Sequence, residues 1–218
     1  MHFLKTLIGT RKGTTSKGIS QLKKYLSHFG YMNRKDTTTL THQTDDLFDD
    51  DLELAVKNYQ TFFKLAVNGI MDANTLETMS SPRCGVPDTF NLNRSHELYL
   101  RIPTLASHYV FFPGEPKWPP TKRSLTYSFP SDGQIDIISG SWGWEYIDGP
   151  KDFSAPSDGR LHFDGDEKWV DGVTPGAFDL QTVGLHELGH VLGLGHTNDS
   201  GAVMYPYIGD GLRKVLTR

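Results

Sequence analysis

The eleven residues from His186 to His196, HELGHVLGLGH, restrict this chain more than any other stretch. Asp179 is placed to cap a helix through LQTVGLHELGHVL, and at about 100° per residue His186 and His190 fall about 40° apart on its wheel. Both imidazoles then face one point. Leu185, Leu188, Val191 and Leu192 occupy the opposite side, which is expected to anchor the helix in a core and leave the histidines facing a cleft. Gly193 and Gly195 can take backbone conformations closed to other residues, so the chain is expected to leave the helix there and swing His196 back.

Three converging imidazoles suit zinc, and three protein donors leave one of its four positions open. Glu187 projects beside the pair, where a carboxylate can take a proton from a water that zinc acidifies and later deliver it to a leaving amine. An HExxH pair by itself is also what two ordinary helical histidines would produce. The third histidine, the two glycines at their offsets and Met204 in AVMYP argue against that reading.

The chain has 218 residues, 37% of them hydrophobic, which is enough for one domain of ordinary size and a smaller one. Its 22 basic and 26 acidic side chains are spread along the sequence without a long basic run, which argues against a nucleic-acid partner. No apolar run approaches the roughly 18 to 20 residues of a membrane span, and Lys5 interrupts the opening MHFLKTLIGTRKG, so neither a span nor a signal peptide is recognised. The only cysteine, Cys84, excludes an internal disulfide.

Residues 1–80 are expected to form a helical unit, with Ile19, Leu22, Leu26 and Phe29 on one helical face and Gly30 as its stop. A second helix carries Leu52, Val56, Tyr59 and Phe63, and the acidic cluster Asp45, Asp46, Asp49, Asp50 and Asp51 is read as its solvated entry. Asp72 is a plausible cap for a third helix with Thr75, Leu76 and Met79. Residues 81–115, rich in proline and glycine, read as linker, and residues 116–218 as an α+β unit with strands at SLTYSF and IDII.

HExxHxxGxxH followed by a methionine turn resembles the metzincin signature, and AVMYP after GHTNDSG resembles its matrixin branch, the matrix metalloproteinases. The resemblance implies a catalytic zinc on His186, His190 and His196, with Met204 as the apolar floor beneath it and Pro206 and Tyr207 in the substrate-pocket wall. PRCGVPD, residues 82–88, resembles the matrixin propeptide switch, in which the thiolate of Cys84 takes the open zinc position. VKNYQTFFKLAVNGIMDANTL resembles the family's peptidoglycan-binding-like prodomain, an intramolecular inhibitor. In LHFDGDEKW, His162 resembles a ligand of a second, structural zinc, while Asp164 and Glu167 resemble calcium ligands. With SLTYSF and GAFDLQTVGLHELGH, and no hemopexin-like domain, the match is best to plant matrixins. The implied protein is a latent zinc endopeptidase of the extracellular matrix or cell surface, acting on protein or peptide substrates. Its implied α+β fold joins a small all-helical prodomain to an abbreviated metzincin-type domain.

Several family features are missing. Only residues 126–161 fill the interval between the first strand and the HFDxDE-like segment, and no histidine lies between His108 and His162 to complete the structural zinc. DGPKDFSAP, residues 148–156, is the only trace of the substrate-pairing edge strand, and the sequence ends 14 residues after Met204, short of the family's final helix. Three functions therefore remain open: the latent endopeptidase, a zinc-binding remnant with impaired catalysis, and a wall-polysaccharide binder acting through residues 1–80.

Overall fold

In the computed structural model, residues 2–32, 46–89, 110–112, 145–146, 162–163 and 167–216 are described, and the chain divides into two units. One comprises Met1–Ser81 and Pro87–Ile102, the other Pro82–Val86 and Pro103–Arg218.

The first unit is built on α1 (Ile19–His28), α2 (Asp50–Phe62) and α3 (Ala73–Ser80). Ile19, Leu22 and Leu26 are buried along one side of α1, and Leu52, Val56 and Tyr59 along α2, as their spacing predicts. Tyr59 packs its ring edge-on to Tyr25 and Tyr31, at centroid separations of 6.5 and 5.3 Å. Gly30 takes a φ of 88° after α1, and Thr89 leaves no room there for a Cβ. The acidic cluster splits by role: Asp49 caps α2 by accepting from the Leu52 N–H at 2.8 Å and pairs with the buried Lys23, while Asp50 stays exposed and pairs with Lys12. Asp72 caps α3 through the Thr75 N–H at 2.8 Å. The 3-10 helix His2–Leu7, which buries Leu4 and Leu7 against this core, is not foreshadowed by any apolar period.

The second unit contains three short strand pairs. β1 (Val110–Phe111) runs antiparallel to β6 (Leu194–Gly195), and β2 (Glu145–Tyr146) antiparallel to β3 (His162–Phe163). β4 (Trp169–Val170) lies parallel to β5 (Phe178–Asp179). β1 thus gives regular structure to part of the stretch read as linker. SLTYSF, IDII and DGPKDFSAP lie outside the described residues. Asp179 closes β5 and opens α4 (Leu180–Val191), its carboxylate accepting from the Thr182 N–H at 3.1 Å and the Thr182 hydroxyl at 2.6 Å.

The expected burial of α4 needs correction. Val191 is buried, but Leu188 and Leu192 are 48% and 46% exposed. The helix packs instead through the side that carries the histidines. Cys84, Phe178, Val183 and Ile208 form the adjoining core, with Val86, Phe163 and Trp169 packed against it.

Candidate metal centre

α4 sets His186, Glu187 and His190 within little more than one turn, and all three are buried. Gly193, with a φ of 95°, then lets the chain leave the helix. Gly195 does not share that role. It has no positive φ and sits in β6 opposite Val110, so strand pairing, not left-handed backbone, carries the chain from Gly193 to His196. Phe112 fastens the same turn: its N–H donates to the Gly193 carbonyl at 3.0 Å, and its ring stacks on His190 at 5.5 Å.

The three Nε2 atoms form a nearly equilateral triangle, 3.1 Å from His186 to His190, 3.2 Å from His190 to His196 and 3.3 Å from His186 to His196. The opposite nitrogens of two of these rings are fixed by backbone carbonyls. Nδ1–H of His186 donates to Val203 O and that of His190 to Leu194 O, both at 2.7 Å, which leaves the Nε2 lone pairs pointing inward. Burial, reinforced by the neighbouring His196, pushes the pKa of His186 down to about 3. Burial and the other two imidazoles also hold His190 well below its ordinary value. Lone pairs so close repel one another unless a cation sits among them.

Zinc fits that position. Zn–N bonds of about 2.0–2.1 Å in a tetrahedral site set donors about 3.3–3.4 Å apart, close to what the triangle provides. Cys84 lies beside the triangle, with Sγ 3.5 Å from His190 Nε2, near the value of about 3.5 Å that a Zn–S bond of about 2.3 Å would give. The four ligand atoms all lie within 4.8 Å of one another. Cys84 itself is fully buried, its N–H donates to Pro206 O at 2.9 Å, and its sulfur accepts from the Val86 N–H at 3.3 Å.

Glu187 is completely buried, with Oε1 3.6 Å from His186 Nε2. Met204 is buried and presses on Gly189, between Leu188 and His190 in α4, where an added Cβ would collide with its Sδ. The importance of Gly189 was legible in principle, since a glycine inside a helix costs about 1 kcal/mol relative to alanine and needs a reason. Pro206 and Tyr207 lie against the Cys84 segment, Tyr207 bridging Arg83. Tyr205 and Ile208, which the sequence did not single out, join Val183, His186 and Val203 around a small cavity beside the triangle.

The remaining ligand expectations fall partly outside the described residues. His162 is placed by its backbone in β3, opposite Tyr146, and Asp164 lies outside the described residues. Glu167 is half-buried in a bend before β4. Among the described residues, Cys84 and the three histidines are the one group of three or more metal-ligand side chains.

Comparison with known proteins agrees with this geometry. Residues 143–216 match the matrixin family model, and residues 15–79 match that of a putative peptidoglycan binding domain. The chain is 35% identical to Metalloendoproteinase 5-MMP of Arabidopsis thaliana, over 96% of this chain and 70% of that protein. It is also 35% identical to Metalloendoproteinase 1 of Glycine max, over 93% and 79%, and 31% identical to human Matrilysin, over 73% and 69%. The Arabidopsis match runs over 261 positions against a chain of 218 residues, so that relative carries more than forty residues, between the ends of the match, that this chain lacks. Among the described residues, no helix is long and apolar enough to cross a membrane. Similarity to metalloendoproteinases along more than nine-tenths of its length, with the family's motif folded into a metal-ready cluster, shows that the chain belongs to the matrixin family and is a zinc-dependent metalloendopeptidase.

Proposed function

We propose that the chain is a matrixin zymogen in which Cys84 closes the metal centre and Glu187 performs the proton transfers once the thiolate has left. The observation that carries this is the convergence of Cys84, His186, His190 and His196, four buried donors from distant parts of the sequence whose ligand atoms all lie within 4.8 Å of one another. When bound, zinc supplies Lewis acidity, acidifying a water and polarising the scissile carbonyl. His186, His190 and His196 hold the ion with neutral imidazoles oriented by Val203 and Leu194. Glu187 takes a proton from the attacking water at a carboxylate oxygen and delivers it to the leaving nitrogen, so that water adds to the carbonyl carbon as the C–N bond breaks. Residues 1–80 act as prodomain, 81–115 as switch segment and linker, and 116–218 as the catalytic part. Met204, Pro206 and Tyr207 border the substrate. Calcium on Asp164 and Glu167 belongs to the same reading, as do extracellular protein substrates, whereas His162 lacks the further histidine that a second zinc of the family's type would need.

The test is cleavage of an unfolded protein by zinc-loaded full chain carrying Cys84→Ala, beside the same chain also carrying Glu187→Ala. Turnover that chelation abolishes and Glu187→Ala lowers by orders of magnitude is expected. Zinc bound at about one per chain without turnover above the Glu187→Ala background would falsify it. That outcome favours the second reading, a zinc-binding remnant with impaired catalysis, which is motivated by the more than forty residues present in the Arabidopsis relative and missing here.

A further inference from the structure

Arg83 is 1% exposed and heads the fully buried side chains by volume. A guanidinium keeps its charge at any ordinary pH, so burying it is unfavourable unless its surroundings replace the water it loses. Nε–H donates to the Cys84 carbonyl at 3.1 Å, Nη1–H reaches the Tyr207 hydroxyl at 3.4 Å, and the guanidinium carbon lies 5.0 Å from the centre of the Tyr207 ring. That last distance is within the range of a cation–π contact. The backbones run antiparallel at this point, Arg83 opposite Tyr207, and the Cys84 N–H donates to Pro206 O at 2.9 Å.

We infer that Tyr207 is a positioning residue for latency: its ring and hydroxyl receive Arg83 and thereby fix the register in which the Cys84 sulfur meets the metal. Backbone pairing alone selects that register weakly, because apart from Pro82 and Pro206, which lack an N–H, each residue offers the same donor and acceptor, and a slip of one residue turns the cysteine to the other face. Side-chain contacts distinguish one alignment from the next more strongly, and Arg83 is adjacent to Cys84. The inference rests on the reading that Cys84 holds the fourth metal position.

The test uses the rate at which a thiol reagent modifies Cys84 in the zinc-loaded full chain, a signal with one source because there is no other cysteine. Tyr207→Leu keeps apolar bulk but removes ring and hydroxyl, and is expected to raise the rate roughly thirty-fold, the ratio for about 2 kcal/mol of desolvated cation–π contact. Tyr207→Phe keeps the ring and should stay within about five-fold of the parent, as expected for loss of one long hydrogen bond. Arg83→Leu, which leaves every histidine and its carbonyl partner untouched, should match Tyr207→Leu with zinc still at one per chain. Parental rates in Arg83→Leu and Tyr207→Leu overturn the inference. So does a Tyr207→Phe chain as fast as Tyr207→Leu. If removing zinc from the parent fails to speed modification, Cys84 is not on the metal, and the switch reading falls together with this inference.

Discussion

Adding one methyl group at Gly189 tests how the metal centre is floored. A Cβ there would run into the sulfur of buried Met204, so the thioether must move, and forced overpacking of this kind costs about 1–3 kcal/mol. The same substitution removes a glycine from the interior of α4, which favours the helix by about 1 kcal/mol. The net effect of Gly189→Ala is a loss of about 1 kcal/mol. Met204→Ala alone empties a buried site and should cost about 2–5 kcal/mol. In that emptied background the collision is gone and only the helix gain remains, so Gly189→Ala should there stabilise by about 1 kcal/mol, a coupling of about 2 kcal/mol between the two positions. All four tryptophans, Trp118, Trp142, Trp144 and Trp169, belong to the unit that holds the metal, so urea unfolding followed by tryptophan emission reports on that unit. A Gly189→Ala chain more stable than the parent, or the same effect of the substitution in both backgrounds, refutes the packing argument.

Removing zinc should lower the tryptophan-detected unfolding temperature while leaving the transition of the helical unit in place. At free zinc a thousand times the dissociation constant the ion contributes about 4 kcal/mol, and a scanning experiment with and without chelator reads the difference. In the helical unit, Asp49→Ala should cost about 3 kcal/mol or more by circular dichroism, because it removes an ion-pair partner of the fully buried Lys23 and uncaps α2, whereas Lys23→Met should cost clearly less. Burial alone would raise the pKa of Asp179. Hydrogen bonds from Thr182 and Gly172, with the charge of Arg213 nearby, outweigh that and hold it below the ordinary 3.8. A lowered carboxylate stabilises the fold fully above its unfolded pKa and loses that contribution as pH falls through its folded value. The stability advantage of the parent over Asp179→Asn in urea titrations should therefore be flat at neutral pH and shrink as pH drops through and below 3.8.

The helices were legible because their signals are local. Asp49, Asp72 and Asp179 each cap the helix that follows, and the apolar spacing of α1 and α2 coincides with their buried faces. The metal triangle was legible for the same reason, since one helix turn and one glycine-led exit fix three histidines. What misled was burial. The wheel of α4 separates histidines from leucines but cannot say which side is covered, and here Cys84, Met204 and Phe112 cover the histidine side while Leu188 and Leu192 remain exposed. Those covering residues lie at distant or modest sequence signals, Phe112 most of all, in a stretch whose prolines suggested linker. The 3-10 helix at Leu4 and Leu7 went unrecognised because six residues are too few to establish a period.

The construction of the metal centre also bears on what a shortened chain can retain. The bonds that orient the two helical histidines run from His186 to Val203 and from His190 to Leu194, and Thr197 N–H closes the methionine turn onto Met204 O at 3.0 Å. All of these partners fall between residues 186 and 204. Among the described residues, β1, Phe112 and the Cys84 segment come from elsewhere, and each is present. The residues that the Arabidopsis relative has and this chain lacks therefore include none of these groups, and zinc affinity should be that of an intact three-histidine site. Substrate binding is different, because an extended peptide needs a sheet edge for its main-chain hydrogen bonds. Loss of such an edge would thus appear as weakened substrate binding at full zinc occupancy. A chain that binds zinc weakly despite intact His186, His190 and His196 would show instead that the missing residues support the ligands themselves.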